Sequence, residues 1–560
     1  MEQEYVLVNY YLESRGGINY LRETYPHLSF RVVVDGIYSI FIPDSEVARD
    51  EFTQLRIDID FVEVPTLYGL NASNAYDASN ISIFHDYPYG SLRGNGIIVG
   101  LVDTGIDYNN VYFKNADNTT RIIGIWDQTI DGDNAPQPYD YGTVYTREQI
   151  NEALASENPY EIVPSVDTVG HGTFLAGVAA GNDQSEDASF VGGAPNADIL
   201  VVKMKQASAH LRNEYLIDDT VNAYQENDLL SGIDYLIKTA EELNQPLVIC
   251  IGVGNNLGAH NGSDVIENYI EYITLLANTI FVIASGNEAT RGHHYYSHVA
   301  QGGTQDIEVN VADNEAGMIL NLWTEIDNKV TVSIRSPLGQ TIEKVPIKYL
   351  EEQRFKFNLE QTQLSVTYTY PDILSGGEKV LLRFTDPTPG IWTITVYGEK
   401  VNDGAFHLWL PMRGFIDDGT IFLRPDSETT VQIPGTIQYG VIVGAYDYLD
   451  DSIYVASGRG PTSNLFFAPD IIAPGVNVVG PAVGGGLTSF VGTSTAAAVT
   501  TAACALLLEW AVIEKNLPRM NTRIAKGMLI RGARQQNGVD YPNNTEGYGR
   551  LDLQGAIANV

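Results

Sequence analysis

The chain has 560 residues, a formal net charge of −37 at pH 7 and 44% hydrophobic residues. This length is too great for one ordinary domain, so we expect two or three structural units with substantial cores. Phosphate binding needs clustered Lys and Arg, so the acidic charge argues against nucleic acid or an anionic membrane surface as a partner. A highly soluble acidic protein is the simpler interpretation.

Residues 1–70 predict a small α+β unit. The order is a strand (YVLVNYYL), a helix (NYLRETYPH), a long strand (FRVVVDGIYSIFIP), a polar helical stretch and a last strand (IDIDFVEVP). The first residues, MEQEYVLVNYYLES, lack the basic segment, apolar run and cleavage site of a secretory signal. We therefore expect no secretion by the usual route.

Residues 71–301 alternate buried strands with helical patterns. The strands include IIVGLVD, ADILVVKM and PLVICIGVG, and DLLSGIDYLIKTAEEL is an amphipathic helix. This alternation predicts a mainly parallel sheet with helices on both faces, an α/β fold. The polar stretch TIDGDNAPQPYDYGTVY between two of these elements indicates a surface insertion.

Residues 302–429 have a different pattern of short alternating strands, such as KVTVSIRSP and GIWTITVYGE, separated by Pro, Gly and Asp turns. This pattern predicts an antiparallel β-sandwich or jelly roll. The α/β pattern resumes in residues 430–560, so one domain is inserted into another. No uninterrupted apolar stretch of spanning length occurs, since LLLEWAVIEK is broken by charge, and no membrane span is expected.

The two cysteines, Cys250 and Cys504, each lie inside an apolar run. This placement predicts buried reduced thiols rather than a disulfide or a catalytic pair.

Three distant segments supply the side chains of a serine hydrolase. An apolar run ends in Asp103, and His171 and Ser494 each begin a stretch of small residues that predicts a helix. These residues offer a carboxylate, a base and a nucleophile. Taken alone, each has a structural explanation as a turn or helix-cap residue. Their order along the chain, Asp then His then Ser, is that of subtilisin and differs from chymotrypsin and the α/β-hydrolases.

The three motifs resemble those of the subtilisin-like serine proteases, the subtilases. They read Asp103-Thr104-Gly105, His171-Gly172-Thr173 and Gly492-Thr493-Ser494. A fourth segment, VIASGNEA, resembles the family's strand that ends in Gly-Asn-Glu. The resemblance implies Asn287 as the side-chain donor of the oxyanion hole, together with the backbone N–H of Ser494.

The same resemblance implies how substrate is bound. The segment Ile251-Gly252-Val253-Gly254 would offer its backbone edge to a substrate peptide. Glu288 would lie near the first specificity pocket and favour a basic or hydrogen-bonding side chain. The triad chemistry requires no cofactor, and the partner is a protein or peptide.

Two features leave questions about the site open. Calcium is common in subtilases, but no stretch here forms a recognisable calcium loop, and the pair His293-His294 with His298 lacks convincing metal-ligand spacing. The metal content is therefore unknown. Most subtilases have Pro four residues after the nucleophile, where this chain has Ala498. Alanine favours helix, so we expect the helix to persist.

The N-terminal unit resembles a subtilase propeptide, whose tail passes through the active site. The resemblance implies self-cleavage within Tyr68-Gly69-Leu70-Asn71-Ala72 and retention of the cleaved propeptide. The alternative is an accessory domain that is never cut. The whole layout resembles the clostridial germination-specific Csp-type subtilases, spore proteins that activate a cortex-lytic zymogen, some of which have lost the triad. This implies a cytoplasmic or spore-associated location.

The leading interpretation is an active serine endopeptidase directed at a protein substrate, such as another zymogen. One alternative is a catalytically vestigial subtilase-fold protein that acts in signalling or as a scaffold. A second alternative is a general degradative protease.

Overall fold

The structure, a computed structural model, describes residues 6–11, 17–34, 37–43, 45–58, 75–86, 91–132, 134–182 and 190–558. The chain divides into two compact units, Met1–Ala72 and Ser73–Val560. Each unit is described by itself. The predicted self-cleavage residues, Tyr68 to Ala72, lie outside the described residues.

The first unit combines two helices with a three-stranded antiparallel sheet. Its elements are β1 (Val6–Tyr11), α1 (Gly17–Thr24), β2 (Ser29–Val34), β3 (Ile37–Ile42) and α2 (Glu46–Asp58). The strands lie in the order β1-β3-β2. A small core forms where Leu21 and Leu55 of the two helices join buried strand residues. The expected α+β pattern is present.

Two sequence predictions for this unit were wrong in detail. The predicted long strand is the antiparallel pair β2 and β3. Asp-Gly, a pair that favours tight hairpin turns, stands between these strands at residues 35–36. Ile57 and Asp58 end helix α2 and do not begin a strand, because the helix continues past the polar stretch.

The second unit is built on an eight-stranded sheet. Among the described residues, eleven antiparallel strands that belong to other sheets lie between the sixth and seventh strands of this sheet. A two-stranded hairpin follows the eighth strand. The first strands are β4 (Ile98–Asp103), β5 (Ile122–Asp127), β6 (Thr143–Thr146), β7 (Asp198–Lys203), β8 (Leu247–Ile251) and β9 (Thr279–Ala284).

The antiparallel strands form two sheets. They are β10 (His294–His298), β11 (Thr304–Val311), β12 (Gly317–Thr324), β13 (Lys329–Arg335), β14 (Thr341–Ile342), β15 (Gln353–Lys356), β16 (Gln363–Thr369), β17 (Glu378–Thr385), β18 (Gly390–Lys400), β19 (Ala405–Trp409) and β20 (Ile421–Phe422). One sheet has the order β10-β19-β12-β17-β16-β15 and the other β14-β13-β18-β11-β20. Residues of both sheets share one hydrophobic core, as in a sandwich.

The large sheet is completed by β21 (Val441–Tyr446) and β22 (Ile471–Pro474), and the hairpin by β23 (Val478–Pro481) and β24 (Leu487–Phe490). The strand order is β22-β21-β9-β8-β4-β7-β5-β6. All neighbouring pairs are parallel except β5 with β6. The mainly parallel sheet expected from the sequence is confirmed.

Helices cover both faces of this sheet. They are α3 (Ala75–Ala78), α4 (Arg147–Ala155), α5 (Pro159–Ile162), α6 (His171–Ala180), α7 (Ala209–Tyr215), α8 (Glu226–Leu243), α9 (Val265–Ile273), α10 (Thr493–Leu508), α11 (Thr522–Gly532) and α12 (Leu553–Ala558), with short turns at Ser82–Phe84, Val111–Phe113 and Glu509–Ile513. Alternate residues of β4 face opposite cores, Val99 and Leu101 towards α6 and α10, Ile98 and Val102 towards α8.

Helix α10 and the turn after it are unusually apolar. Among the described residues, Thr493–Ile513 is the one helical segment long and apolar enough to cross a membrane, and 83% of its apolar window is buried within the protein. This burial is that of a central core helix. The helix runs unbroken past Ala498, which is fully buried. Cys250 and Cys504 are buried free thiols, and burial raises the pKa of Cys250 to about 12.

We predict that Gly177→Ala destabilises the protein by about 1–3 kcal/mol, because overpacking costs that much. A Cβ atom at Gly177 on α6 would lie 2.2 Å from Cδ of Pro481 in β23. The measurement is Tm from thermal unfolding. The matched control is Gly527→Ala, on an exposed part of α11 where a Cβ meets no atom within 4 Å. Alanine there is expected to be neutral or stabilising by up to about 1 kcal/mol. Equal Tm values for both variants and the parent would contradict the prediction.

Candidate active site

The site lies at the carboxyl edge of the parallel sheet, where ligands of α/β folds are commonly bound. Asp103 is the last residue of β4 and is 1% exposed. Its Oδ1 accepts a hydrogen bond of 2.7 Å from the backbone N–H of Thr104. Strands β8 and β9 end beside it at Ile251 and Ala284. The strand ends therefore bring together segments that are far apart in sequence.

His171 begins helix α6 because the chain turns sharply just before it. Gly170 has a φ of +88°, a conformation that glycine adopts without strain. The carboxylate of Asp167 accepts hydrogen bonds from the backbone N–H groups of Gly170 and Thr173 at 2.8 and 3.0 Å. These bonds satisfy N–H groups of the first helical turn that have no partner inside the helix. Asp167 thus fixes the turn from which the imidazole projects.

The next residue allows the helix to approach strand β4 closely. A Cβ atom at Gly172 would lie 2.2 Å from the carbonyl oxygen of Gly105, so only glycine fits there. The backbone N–H of Gly172 donates to Oγ1 of Thr104 at 2.9 Å. In return, the Thr173 hydroxyl accepts from the backbone N–H of Asp107 at 2.9 Å. The threonine and glycine positions of both motifs therefore have a structural reason.

The three candidate side chains are in hydrogen-bonding distance of one another. Nδ1 of His171 lies 2.8 and 3.0 Å from the two carboxylate oxygens of Asp103, and Nε2 lies 3.1 Å from Oγ of Ser494. The Asp103 side chain is 2% exposed and that of His171 is 25% exposed. The imidazole thus separates a buried carboxylate from an accessible hydroxyl.

The electrostatics of His171 follow from this geometry. Burial by itself disfavours the imidazolium, but the charge and hydrogen bond of Asp103, aided by the charge of Asp167, raise the pKa of His171 above its ordinary value. The Nδ1–H donates to Asp103, which can only accept, so Nε2 is the atom that can take a proton from Ser494.

Ser494 lies in the first turn of α10, directly after the hairpin β23–β24. The backbone N–H groups of such a turn have no acceptor within the helix. The helix start is held by Asn287, whose Oδ1 accepts from the backbone N–H of Thr493 at 3.0 Å. The hydroxyl of Thr493 in turn accepts from the backbone N–H of Gly286 at 3.0 Å.

The amide group of Asn287 has a defined direction. Because its oxygen is held by Thr493, its Nδ2 is turned away from that contact, and within the described part of the chain Nδ2 has no hydrogen-bond partner. A Cβ atom at Gly492, two residues before Ser494, would lie 3.5 Å from Nδ2. An unpaired donor therefore lies close to the nucleophile candidate.

The predicted substrate-binding segment passes beside the same residues. A Cβ atom at Gly252 would lie 3.2 Å from both Cε1 of His171 and Cβ of Ser494. Ile251 ends β8 and is buried, whereas Gly252, Val253 and Gly254 retain partial exposure. The segment is placed where it can run alongside a bound peptide.

Glu288 is buried and hydrogen-bonded on both oxygens. It is 4% exposed, and its Oε2 lies 2.7 Å from Nδ1 of His293 and accepts from Nδ2 of Asn256 at 3.1 Å. Its Oε1 accepts from the backbone N–H of Arg413 at 3.1 Å. The carboxylate is thus engaged within the protein.

Sequence reasoning missed several residues that hold the site. They are Asp167, Asn256 and Gln432. For Asp167 a signal existed, because Asp a few residues before a helix is a common N-terminal cap. For Asn256 and Gln432 no local pattern existed, because their contacts join segments that are 176 residues apart.

The histidines near the site do not form a metal cluster. Among the residues that the structure describes, no group of three or more His, Cys, Asp or Glu side chains is placed to hold a metal ion. His294 is buried with its Nε2 2.9 Å from Nδ1 of His407. Burial, followed by the charge of neighbouring histidines, holds the pKa of His294 well below its ordinary value and that of His407 at about 3.

Comparison with known proteins identifies the family of this chain. The profile of the subtilase family matches residues 94–337 and 420–549. Among solved structures, the CspB protease of Clostridium perfringens is 32% identical, with a TM-score of 0.76. The similarity covers 86% of this chain and 96% of that one. The expected similarity to Csp-type subtilases is confirmed.

Larger bacterial proteinases are more distant relatives. The PI-type proteinase of Lactococcus lactis subsp. cremoris and the PII-type proteinase of Lacticaseibacillus paracasei are each 23% identical over 89% of this chain. This chain spans only 27% of the length of either protein.

We predict that Asp103→Asn lowers the pKa of His171, because the change removes the charge that stabilises the imidazolium. The measurement is an NMR titration of the protein with labelled histidine, following the His171 ring signal. Asp117→Asn, which neutralises an exposed carboxylate elsewhere, is the control and is expected to leave the midpoint in place. An unchanged midpoint in Asp103→Asn would contradict the assigned hydrogen bond.

Proposed function

This chain belongs to the subtilase family, and we propose that it is a serine endopeptidase with Asp103, His171 and Ser494 as its catalytic triad. The observation that carries the proposal is the continuous contact from the Asp103 carboxylate through the imidazole to the Ser494 hydroxyl, at 2.8 and 3.1 Å. A serine hydroxyl is a weak nucleophile until a base removes its proton, and this contact supplies the base.

The first chemical step is acylation. Oγ of Ser494 attacks the carbonyl carbon of the cleaved bond while its proton passes to Nε2 of His171. Asp103 keeps the imidazole in the required tautomer and stabilises the imidazolium that forms. The tetrahedral intermediate collapses as the imidazolium gives its proton to the leaving amine. Water, activated by the same base, then hydrolyses the acyl-enzyme.

The negative charge that develops on the carbonyl oxygen needs donors that are already in place. We assign this role to Nδ2 of Asn287 and the backbone N–H of Ser494. The base must be neutral at the start of the reaction. Because the pKa of His171 is raised, activity is expected to increase with pH until that pKa is passed.

The substrate is a protein or peptide, and we propose that its backbone pairs with the edge of residues 251–254. The closeness of Gly252 to His171 and Ser494 supports this assignment. An extended peptide added to a strand edge gains main-chain hydrogen bonds that do not depend on its sequence. This pairing would bring the bond to be cut to the nucleophile.

We further propose that the N-terminal unit is a propeptide, cut within Tyr68–Ala72 and retained after cleavage. The support is the compact α+β unit ahead of the catalytic unit. We also propose activation of a zymogen, such as a spore cortex-lytic enzyme, and a cytoplasmic or spore-associated location. The support is the similarity to the CspB protease, since the resemblance to Csp-type subtilases implies these roles.

We predict that the purified parent consists of two fragments, whereas Ser494→Ala remains one chain, because self-cleavage needs the nucleophile. Intact mass under denaturing conditions measures this directly. Ser489→Ala, on the exposed strand of the neighbouring hairpin, is the matched control and is expected to be cut like the parent. Two fragments from Ser494→Ala would show that another protease makes the cut. Native size-exclusion before the mass measurement shows whether the fragments stay together.

We predict that Asn287→Ala lowers kcat by about 10²–10³, the loss typical of one oxyanion-hole donor, with little change in KM. Asn287→Asp gives a sharper test. It keeps the oxygen that accepts from Thr493 but loses the Nδ2 donor, so kcat is expected to fall at least as far. Retention of full kcat in Asn287→Asp would mean that Asn287 only caps helix α10.

A further inference from the structure

A buried glutamine lies between two backbone segments next to the proposed catalytic residues. We call the space in which these segments would hold a substrate peptide the proposed cleft. Gln432 is 4% exposed. Cβ atoms built at Gly286 and Gly254 would lie 2.5 and 3.1 Å from its Oε1. Gly286 immediately precedes Asn287, and Gly254 ends the proposed substrate-pairing edge. The side-chain amide of Gln432 therefore lies close to both segments.

One end of this amide is bonded and the other is not. Nε2 of Gln432 donates to Oδ1 of Asn256 at 3.0 Å. Within the described residues no donor contacts Oε1, and this oxygen is not among the fully buried polar atoms that lack a partner. What little accessible surface Gln432 keeps thus includes an acceptor without a donor.

The direction of the Gln432 amide is set from Glu288. A carboxylate can only accept hydrogen bonds, so Asn256 must turn its NH₂ group to Glu288, at 3.1 Å. Asn256 therefore presents its oxygen to Gln432, which must donate a hydrogen bond to it from its own NH₂ group. We call these three residues, Glu288, Asn256 and Gln432, the amide relay. Its polarity leaves the side-chain oxygen of Gln432 next to Gly286 and Gly254.

The backbone around the relay is held by one more side chain. The ring nitrogens of His260 lie 2.8 Å from the carbonyl oxygens of Asn256 and Val431, the residue before Gln432. The imidazole is stacked on Trp409, with ring centroids 4.1 Å apart. Burial lowers the pKa of His260 to about 4, so the neutral ring donates its single N–H to one of these two carbonyls and contacts the other.

We propose that Gln432 is the specificity-determining residue of this endopeptidase, and that its Oε1 selects substrates with an uncharged hydrogen-bond donor, an amide or hydroxyl, before the cleaved bond. Glu288 is a positioning residue that acts through Asn256. The inference rests on the proposed function, because it needs the cleft to be the substrate site. It also replaces Glu288 by Gln432 as the group that meets the substrate side chain.

The alternatives are disfavoured by the chemistry of the relay. A carboxylate side chain would bring its own acceptors against the Gln432 oxygen. An ammonium would lose its hydration without gaining a facing carboxylate, because Glu288 is occupied by Asn256, His293 and Arg413. An apolar side chain of the same shape would cover Oε1 without offering a donor, which costs binding energy.

The test compares isosteric substrates. The probes are succinyl-Ala-Ala-Pro-X p-nitroanilides, in which X precedes the cleaved bond and is Gln, Met, Asn, Leu or Glu. For the parent, kcat/KM is expected to be about tenfold higher for Gln than for Met and for Asn than for Leu, because one hydrogen bond distinguishes each pair. The substrate with Glu is expected to have a lower kcat/KM than the substrates with Gln and Met. Labelling of Ser494 by a fluorophosphonate measures the fraction of competent enzyme.

Two variants separate the acceptor from the group that orients it. Gln432→Met keeps the length of the side chain without its amide, and the Gln:Met ratio is expected to fall to about one. Glu288→Gln keeps the volume but replaces one acceptor oxygen by a donor, so the relay loses its fixed polarity and the ratio is expected to fall as well. Gln438→Met, exposed on the same segment, is the matched control and is expected to keep the parent ratio.

The outcomes distinguish this inference from the proposed function. A Gln:Met ratio near one in fully labelled parent enzyme would overturn the inference and leave the protease assignment in place. A parent ratio that persists in Gln432→Met or in Glu288→Gln would overturn the relay. No labelling and no cleavage of any probe would overturn the proposed function, and the inference with it.

Discussion

The site depends on how closely the start of helix α6 approaches the end of strand β4. The two backbones touch at Gly172 and Gly105, where no side chain would fit. Thr104 and Thr173 bond across this contact in both directions. If the helix stood one methyl group farther away, His171 would leave the Asp103 carboxylate. The hydrogen bond at the centre of the chemistry is therefore a result of backbone packing.

Buried carboxylates give direction to the hydrogen bonds around this contact. A carboxylate accepts and cannot donate, so every group that meets it must present a proton. Asp103 orients the His171 ring in this way, Asp167 orients the backbone at the start of helix α6, and Glu288 orients Asn256. Amides and imidazoles can bond in either sense when isolated. Here a buried carboxylate that accepts a hydrogen bond from each group fixes the orientation of that group. The carboxylate itself does not contact the substrate.

Much of the fold, and the contact of Asp103, His171 and Ser494, could be predicted from the sequence because their signals are local. Each strand of the sheet is a short apolar run, and Asp103, His171 and Ser494 each stand in a short motif with its own glycine. The sequence predicts β2 and β3 as one strand because both have the same composition, although Asp-Gly stands between them. The alternating stretch IDIDFVEVP predicts a strand that begins at Ile57, whereas helix α2 continues to Asp58.

The amide relay could not be predicted, because it is created by long-range packing. Asn256 and Gln432 are ordinary polar residues in their own segments, and only the folded chain brings them into contact. Glu288 was identified by resemblance as a residue of the specificity pocket, but its burial depends on His293 and Arg413, which lie outside any motif. A sequence pattern reports which residue type is present, whereas hydrogen-bond direction depends on neighbours.

The antiparallel segment contacts Glu288 at two places, just before β10 and just after β19. His293 stands one residue before β10, and Arg413 stands four residues after β19 and before β20, so this segment supplies two contacts to the same carboxylate. The segment is therefore not an independent cassette. Excising it, or exchanging it for a sandwich from another protein, would also rebuild the wall of the cleft. An engineer who wished to keep the hydrogen bonds of Glu288 would have to keep residues 288–293 and 410–413 with the host.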